Sequence, residues 1–212
     1  MNQDWQNFLA TQGAQIEAGT VQHFGDAAAE RVATQEGTVL CDLSHFGVLR
    51  VGGEDAESFL QNLLSNDIRE VTPNRAQLSS FNTAKGRMLA SFLIWREGND
   101  YLLQLPRALA EPVRKKLSMY VLRSKVKIPD ASDEQVCLGV GGAEAAPLLQ
   151  KQFAALPQQT WESTQSDDTV ILCRGTQRYQ IATPAARAAA LWQALQAAAT
   201  AAGSSCWNWL DI

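Results

Sequence analysis

The sequence predicts an α+β protein made of two related units, each a strand, a helix, a run of hairpin strands and a second helix. Three observations carry that expectation. From His45 onward the apolar spacing switches between the two-residue period of strands and the 3.6-residue period of helices, in a fixed order. A polar stretch, Pro129-Asp130-Ala131-Ser132-Asp133, then separates this run from a second of similar order. No strand leads into a glycine-rich phosphate loop, so a nucleotide-hydrolysing or dinucleotide-binding fold has no support.

Taken in order, residues 45–51 read as a strand, and 54–64 as a helix whose Phe59, Leu60, Leu63 and Leu64 share a face. Residues 76–81 and 87–95 form strands either side of a polar turn, where Gly86 supplies the unusual backbone angles and Lys85 solvates the bend. Gly98-Asn99-Asp100 turns the chain into a strand over 101–105, a helix follows over 108–120, and 125–128 is expected to close the sheet. This order is a split βαβ, ferredoxin-like plan. Beyond the linker come a strand at 135–140, a helix at 144–153, a strand near Thr160, strands at 169–174 and 178–182, and a helix at 184–199. Pro184 suits that helix's first turn, with Thr183 as its N-cap.

Composition sets outer limits. With 212 residues, 46% hydrophobic and 19% charged, the chain has the profile of a globular protein able to bury roughly 70% of its unfolded surface. No apolar run approaches the roughly 20 residues that cross a bilayer, and M-N-Q-D-W-Q-N-F-L-A has neither the charge nor the apolar stretch of an import signal. The expectation is a cytoplasmic protein with no membrane partner. Cys41, Cys137, Cys173 and Cys206 stand far apart, without a Cys-x-x-Cys pair and with only His23 and His45 to supplement them, so no metal site is expected. The four read as packing residues. A net charge of −4 argues against direct nucleic-acid contact. Seven of the 18 basic residues nevertheless fall within 107–127, opposed only by Glu111, and read as a solvated helix face leading into an exposed strand.

The segment 77–95, Q-L-S-S-F-N-T-A-K-G-R-M-L-A-S-F-L-I-W, places Lys85 and Arg87 on a hairpin tip that can face an anion. Upstream stands C-D-L-S-H-F-G-V-L-R-V-G-G from Cys41, and downstream K-K-L-S-M-Y-V-L-R-S-K-V-K-I from Lys115. In that order and spacing the chain resembles the glycine-cleavage T-protein (aminomethyltransferase) superfamily, and most closely its YgfZ branch, folate-binding proteins that support iron-sulfur enzymes. The resemblance implies a first ferredoxin-like unit over 45–130, a second over 1–44 plus 131–212, and a C-terminal β-barrel absent from this chain. It further implies that tetrahydrofolate or a derivative is bound in a channel between the domains. Carried over residue by residue, the folate-binding positions are Asn66, Asp67, Phe81, Lys85, Arg87 and Trp95. The basic residues of 107–127 would attract the acidic tail of polyglutamyl folate.

Three departures bear on mechanism. Where aminomethyltransferases carry Gly-Gly-x-x-Asp-Asp, this chain reads Gly86-Arg87-Met88-Leu89-Ala90-Ser91, and neither Ala90 nor Ser91 titrates usefully for acid-base work. The branch's Lys-Gly-Cys-x-x-Gly-Gln-Glu motif does not occur. Relatives continue past a Trp-x-x-Leu-x-Ile segment into Glu-Ala-Gly, whereas the sequence stops at Trp207-Asn208-Trp209-Leu210-Asp211-Ile212. A fragment of a longer protein is the favoured expectation, with a naturally short homologue as the other. The function implied is a non-enzymatic folate-binding accessory to iron-sulfur enzymes, including those that thiomethylate tRNA. Its rival is a tetrahydrofolate-dependent aminomethyltransferase or demethylase.

Overall fold

Asn2 opens the first helix, its side-chain oxygen accepting the Trp5 N–H at 3.1 Å, and α1 runs over Gln3–Thr11. A small hairpin follows, β1 (Gln15–Glu17) with β2 (Thr20–His23). Helix α2 (Ala27–Glu36) starts at Asp26, whose carboxylate accepts the Ala28 and Ala29 N–H groups. Those backbone donors hold its carboxyl below the usual range. Strand β3 (Thr38–Asp42) ends this N-terminal run, in which the apolar periodicity had marked no element.

The next segment forms β4 (Phe46–Val51), α3 (Ala56–Leu63), a 3-10 turn (Ile68–Glu70), β5 (Gln77–Asn82), β6 (Met88–Glu97), β7 (Asp100–Pro106) and α4 (Arg107–Val121). The chain then continues through β8 (Gln135–Gly142), α5 (Ala145–Gln150), β9 (Ser163–Ser166), β10 (Thr169–Gly175), β11 (Arg178–Pro184), α6 (Ala185–Gln196), β12 (Thr200–Ala202) and α7 (Ser204–Trp209). The computed structural model describes residues 1–210; Asp211 and Ile212, with the end of the Trp-x-x-Leu-x-Ile segment, lie outside the described residues. The α+β class is as the sequence predicts. Two compact units emerge, one Phe46–Ser132, the other Met1–His45 continued from Asp133 onward. No described helix is long and apolar enough to cross a membrane.

In the Phe46–Ser132 unit the sheet order is β4-β7-β6-β5, antiparallel throughout. Leu49, Phe59, Leu60, Phe81, Phe92, Ile94, Leu103 and Leu117 build its core. The expected closing strand at 125–128 does not form a continuous ladder. Only isolated antiparallel bridges link Gly52 to Lys127 and Leu49 to Asp130, because Pro129 between them has no N–H to donate. In the other unit the order is β12-β3-β8-β11-β10-β9, with β12 parallel to β3 and every other pair antiparallel. Trp5, Leu9, Leu40, Leu138, Ile171, Ile181 and Trp192 are among its core. The expected N-cap is displaced by one residue. Thr183 stays in β11, its hydroxyl 2.8 Å from that of Thr169, and Pro184 is the cap, with φ −54° and ψ 141°.

The two units repeat one another in detail. Each presents strand, helix, three-strand meander and helix, with the first strand paired to the last of the meander. Val51 pairs with Tyr101 and Val140 with Tyr179; Phe46 pairs with Pro106 and Gln135 with Pro184. Each proline caps the following helix. The valines open matching turns, Val51-Gly52-Gly53 and Val140-Gly141-Gly142, whose last glycines have φ of +122° and +123°.

A buried carboxyl ties α1 to β3. Trp5 Nε1 and the Ser44 hydroxyl each donate to Asp42 Oδ1 at 2.7 Å, and the Ser44 N–H donates to Oδ2 at 3.1 Å. Burial outweighs these donors and pushes the Asp42 carboxyl up from its ordinary 3.8. A carboxyl raised on folding stabilises fully below its unfolded value, and that contribution is lost as pH rises through the folded value. Urea midpoints of the natural chain should therefore fall relative to Asp42→Asn as pH rises above about 4. Parallel profiles would show that Asp42 does not titrate in this way.

Candidate functional site

The β5–β6 hairpin of the Phe46–Ser132 unit carries the site residues that the sequence singles out most strongly. Its tip is held by three hydrogen bonds: Thr83 N–H to the Arg87 carbonyl (2.8 Å), Gly86 N–H to the Thr83 carbonyl (2.9 Å) and Arg87 N–H to the Thr83 hydroxyl (3.1 Å). Gly86 takes φ +76°, the left-handed conformation that lets the chain rejoin β6 after a bulge at Phe81 and Asn82. Lys85 and Arg87 project from this braced turn, exposed, with no ion pair among the described residues. Two positive charges thus stand on a backbone that is already ordered.

Strand pairing decides what lies behind the tip, because directly opposed residues share a face of the sheet. Phe81 lies opposite Ala90, and Ser79 opposite Phe92, on the face covered by α3 and α4. Leu78 lies opposite Leu93, Ser80 opposite Ser91 and Leu102 opposite Trp95, on the other face. Leu78 is 48% exposed and Ser91 is exposed, while Leu93 and Trp95 are buried. The Asn82 amide donates to the Ser80 hydroxyl at 2.9 Å on this same side.

The loop after α3 runs along the free edge of β5. Leu64 bridges to Phe81, Ser65 N–H donates to the Ser80 carbonyl (3.0 Å), and the Asn66 amide donates to the Leu78 carbonyl (2.8 Å). Asp67 caps the 3-10 turn through the Arg69 N–H (3.0 Å) and pairs with the Arg69 guanidinium at 2.6 Å, which holds its carboxyl low. Ser65 and Asn66 thus cover backbone groups of an edge that would otherwise be unpaired, while Asp67 holds the turn that follows. Asn66 is bound at the start of β5, whereas Lys85 and Arg87 stand on the turn beyond its other end. Phe81 sits in the helix-side core, edge-on to Tyr120 at 6.0 Å, and Trp95 lies on the opposite face, so no single ligand meets both rings from one side. Leu78, Ser80, Asn82 and Ser91 were missed by sequence reasoning. Their signal was the strict alternation of Leu78, Ser80 and Asn82 with the inward Ser79 and Phe81.

Ala90 is buried and Ser91 carries only a hydroxyl, so no titratable group stands at the two positions after the turn. All four cysteines are buried and lie in the other unit; burial pushes the Cys41 thiol well above its ordinary value and Cys137 up to about 12. No group of three or more His, Cys, Asp or Glu is placed to hold a metal among the described residues. Lys115 and Arg114 share Glu111, at 3.3 and 2.7 Å, on α4, the helix side of the sheet and not the Trp95 side.

Comparison with known proteins places these features in context. Residues 8–207 match the family described as GCVT N-terminal domain. A tRNA-modifying protein YgfZ from Shigella boydii serotype 4 (strain Sb227) is 30% identical over 175 residues, which span 82% of this chain and 53% of that protein. The protein of the same name from Escherichia coli (strain SE11) is 30% identical over 176 residues, with the same coverage. The chain spans about half the length of these curated relatives. Among solved structures, the glycine cleavage system aminomethyltransferase T from Bartonella henselae superposes with a TM-score of 0.83 at 18% identity, over 97% of this chain and 60% of that one. A chain of heterotetrameric sarcosine oxidase from Corynebacterium sp. U-96 gives 0.55 at 14% identity, over 80% of this chain and 88% of that one. At these identities the two structures speak for the fold alone.

Proposed function

The chain belongs to the GCVT N-terminal domain family, and on that premise we propose that it is the folate-binding portion of a YgfZ-like accessory protein that maintains iron-sulfur enzymes, including those that thiomethylate tRNA. One observation carries the reading. Lys85 and Arg87, without an ion pair among the described residues, stand on a turn braced by its own hydrogen bonds, beside a sheet face that offers an exposed Leu78 and the hydroxyls of Ser80 and Ser91. An aromatic ring bearing a carboxylated tail fits such a surface, its flat part on the apolar residues and its carboxylates on the cations. In this reading Lys85 and Arg87 meet the carboxylates of tetrahydrofolate or a derivative. Asn66 borders the ligand, Trp95 backs it, and Asp67 and Phe81 hold the loop and the strand in place. The role is non-catalytic, because Ala90 and Ser91 supply no proton-transfer group where an aminomethyltransferase has its carboxylates.

Calorimetric titration of tetrahydrofolate and 5-formyltetrahydrofolate tests this, using both the chain and a version extended to the gene's stop codon. Lys85→Ala and Arg87→Ala should each remove one charge-assisted contact, about 1.5–3 kcal/mol, or roughly tenfold to a hundredfold in affinity. Lys115→Ala should leave the ratio of mono- to polyglutamyl affinities unchanged, since Lys115 is engaged with Glu111 on the helix side. If neither the chain nor its extended version takes up either folate, the reading is wrong.

A further inference from the structure

The end of α4 displays a patch that the folate reading does not use. Met119 is 75% exposed, Tyr120 47% and Leu122 88%, three consecutive large apolar surfaces broken only by the half-buried Val121. Leu122 adopts φ 45° and ψ −104°, and the Ser124 N–H donates to the Val121 carbonyl at 2.7 Å. These are the marks of a type II′ turn with Leu at the position that favours glycine. The backbone is therefore held in an unfavourable conformation while the side chain it presents gains no burial in return.

Charge around the patch is mixed but mainly basic: Asp55 lines the same hollow as Tyr120, Leu122 and Arg123, its carboxylate accepting the Lys125 N–H. The Phe46–Ser132 unit holds 13 of the 18 Lys and Arg but 9 of the 22 Asp and Glu, a net +4 against −8 for the rest of the chain. Arg114 and Lys115 are paired with Glu111, whereas the exposed Lys116 and Arg123 flanking the apolar residues have no ion pair among the described residues. We propose that Met119, Tyr120 and Leu122, rimmed by Lys116 and Arg123, form a docking surface for a protein whose apolar pocket is edged by carboxylates. Resting on the reading above, that partner is the iron-sulfur enzyme being maintained. Exposed Met and Leu favour a protein over a nucleic acid, because aliphatic side chains offer no face on which bases stack. The basic rim steers an acidic surface towards the patch, and the apolar residues anchor it.

The experiment uses the version extended to the gene's stop codon and a purified iron-sulfur enzyme that thiomethylates tRNA, with binding followed by interferometry at low and physiological salt. Expected is binding that weakens with salt and falls about tenfold or more in Leu122→Asp and Met119→Asp. Leu122→Gly provides the control for folding: it relieves the turn and should raise the thermal midpoint while still weakening the enzyme. Folate titrations of all three variants should match the unsubstituted protein. The proposal is overturned if the enzyme is not bound, if the variants bind it as the unsubstituted protein does, or if Leu122→Asp loses instead an affinity for a labelled tRNA transcript. Absence of folate binding alongside Leu122-dependent capture would remove the folate reading and leave the docking surface standing.

Discussion

Gly53→Ala and Gly142→Ala should each strongly destabilise the unit that contains them. At both positions the backbone lies near φ +122°, a region that an L-residue enters at a cost of about 1–3 kcal/mol. Space is lacking as well. A Cβ on Gly53 would overlap the Lys125 carbonyl oxygen and lie 3.0 Å from its carbon; one on Gly142 would overlap the Gly37 carbonyl oxygen and lie 2.7 Å from Thr38 Cα. Neither obstacle is a flexible side-chain end. Gly52 and Lys127 exchange backbone hydrogen bonds at 3.1 and 2.9 Å just beyond the first, and Thr38 starts β3 beside the second. Strain and overlap together should exceed about 4 kcal/mol, a large part of the roughly 5–15 kcal/mol that holds a domain folded. Gly86→Ala is the comparison. Its φ is also positive, but nothing lies within 4 Å of the added carbon, so only about 1–2 kcal/mol is expected. Denaturant titration separates the cases, and midpoints for Gly53→Ala or Gly142→Ala no lower than for Gly86→Ala would refute the argument.

Those glycines also show how far the sequence can be read. Val51-Gly52-Gly53 and Val140-Gly141-Gly142, and Tyr101 to Pro106 beside Tyr179 to Pro184, are visible in the letters, but the lengths between them differ and no fixed period exposes the repeat. Register makes it plain, since each valine pairs with its tyrosine across the sheet. Elements with strong apolar periodicity were legible: α3, α4 and the β5–β6–β7 meander fall close to their expected bounds. α1 and α2 were not: Trp5, Phe8 and Leu9 fall at helical spacing but span little more than one turn, α2 buries Glu30 and Thr34 instead of large apolar side chains, and the clearest signals are the caps, Asn2 and Asp26. At the site, the exposed Lys85 and Arg87 followed from the turn chemistry. The facing of Phe81 and Trp95 did not, because the side each ring takes depends on which residue stands opposite, and that is a property of pairing rather than of either strand.

The same dependence on partners across a sheet governs Trp207. Its ring is fully buried against β8, over Gly139, where an added Cβ would lie 2.6 Å from Cζ3 and 2.9 Å from Cδ2, and the Arg178 guanidinium sits 5.1 Å from the ring centre. Trp207→Ala should cost about 3–5 kcal/mol, the range for emptying a site of this size. Gly139→Ala alone should cost about 1–3 kcal/mol, because the methyl has no room under the ring. Combined, the two should not add. With the indole gone the methyl enters space already empty, and alanine also restricts the unfolded strand by about 0.4–1 kcal/mol relative to glycine, so Gly139→Ala should stabilise the Trp207→Ala background. A double-mutant cycle in urea reads this as a change of sign, which loss of generic sheet stability would not produce. Additivity within about 0.5 kcal/mol would mean that the strand, and not the ring, is what excludes a side chain at Gly139.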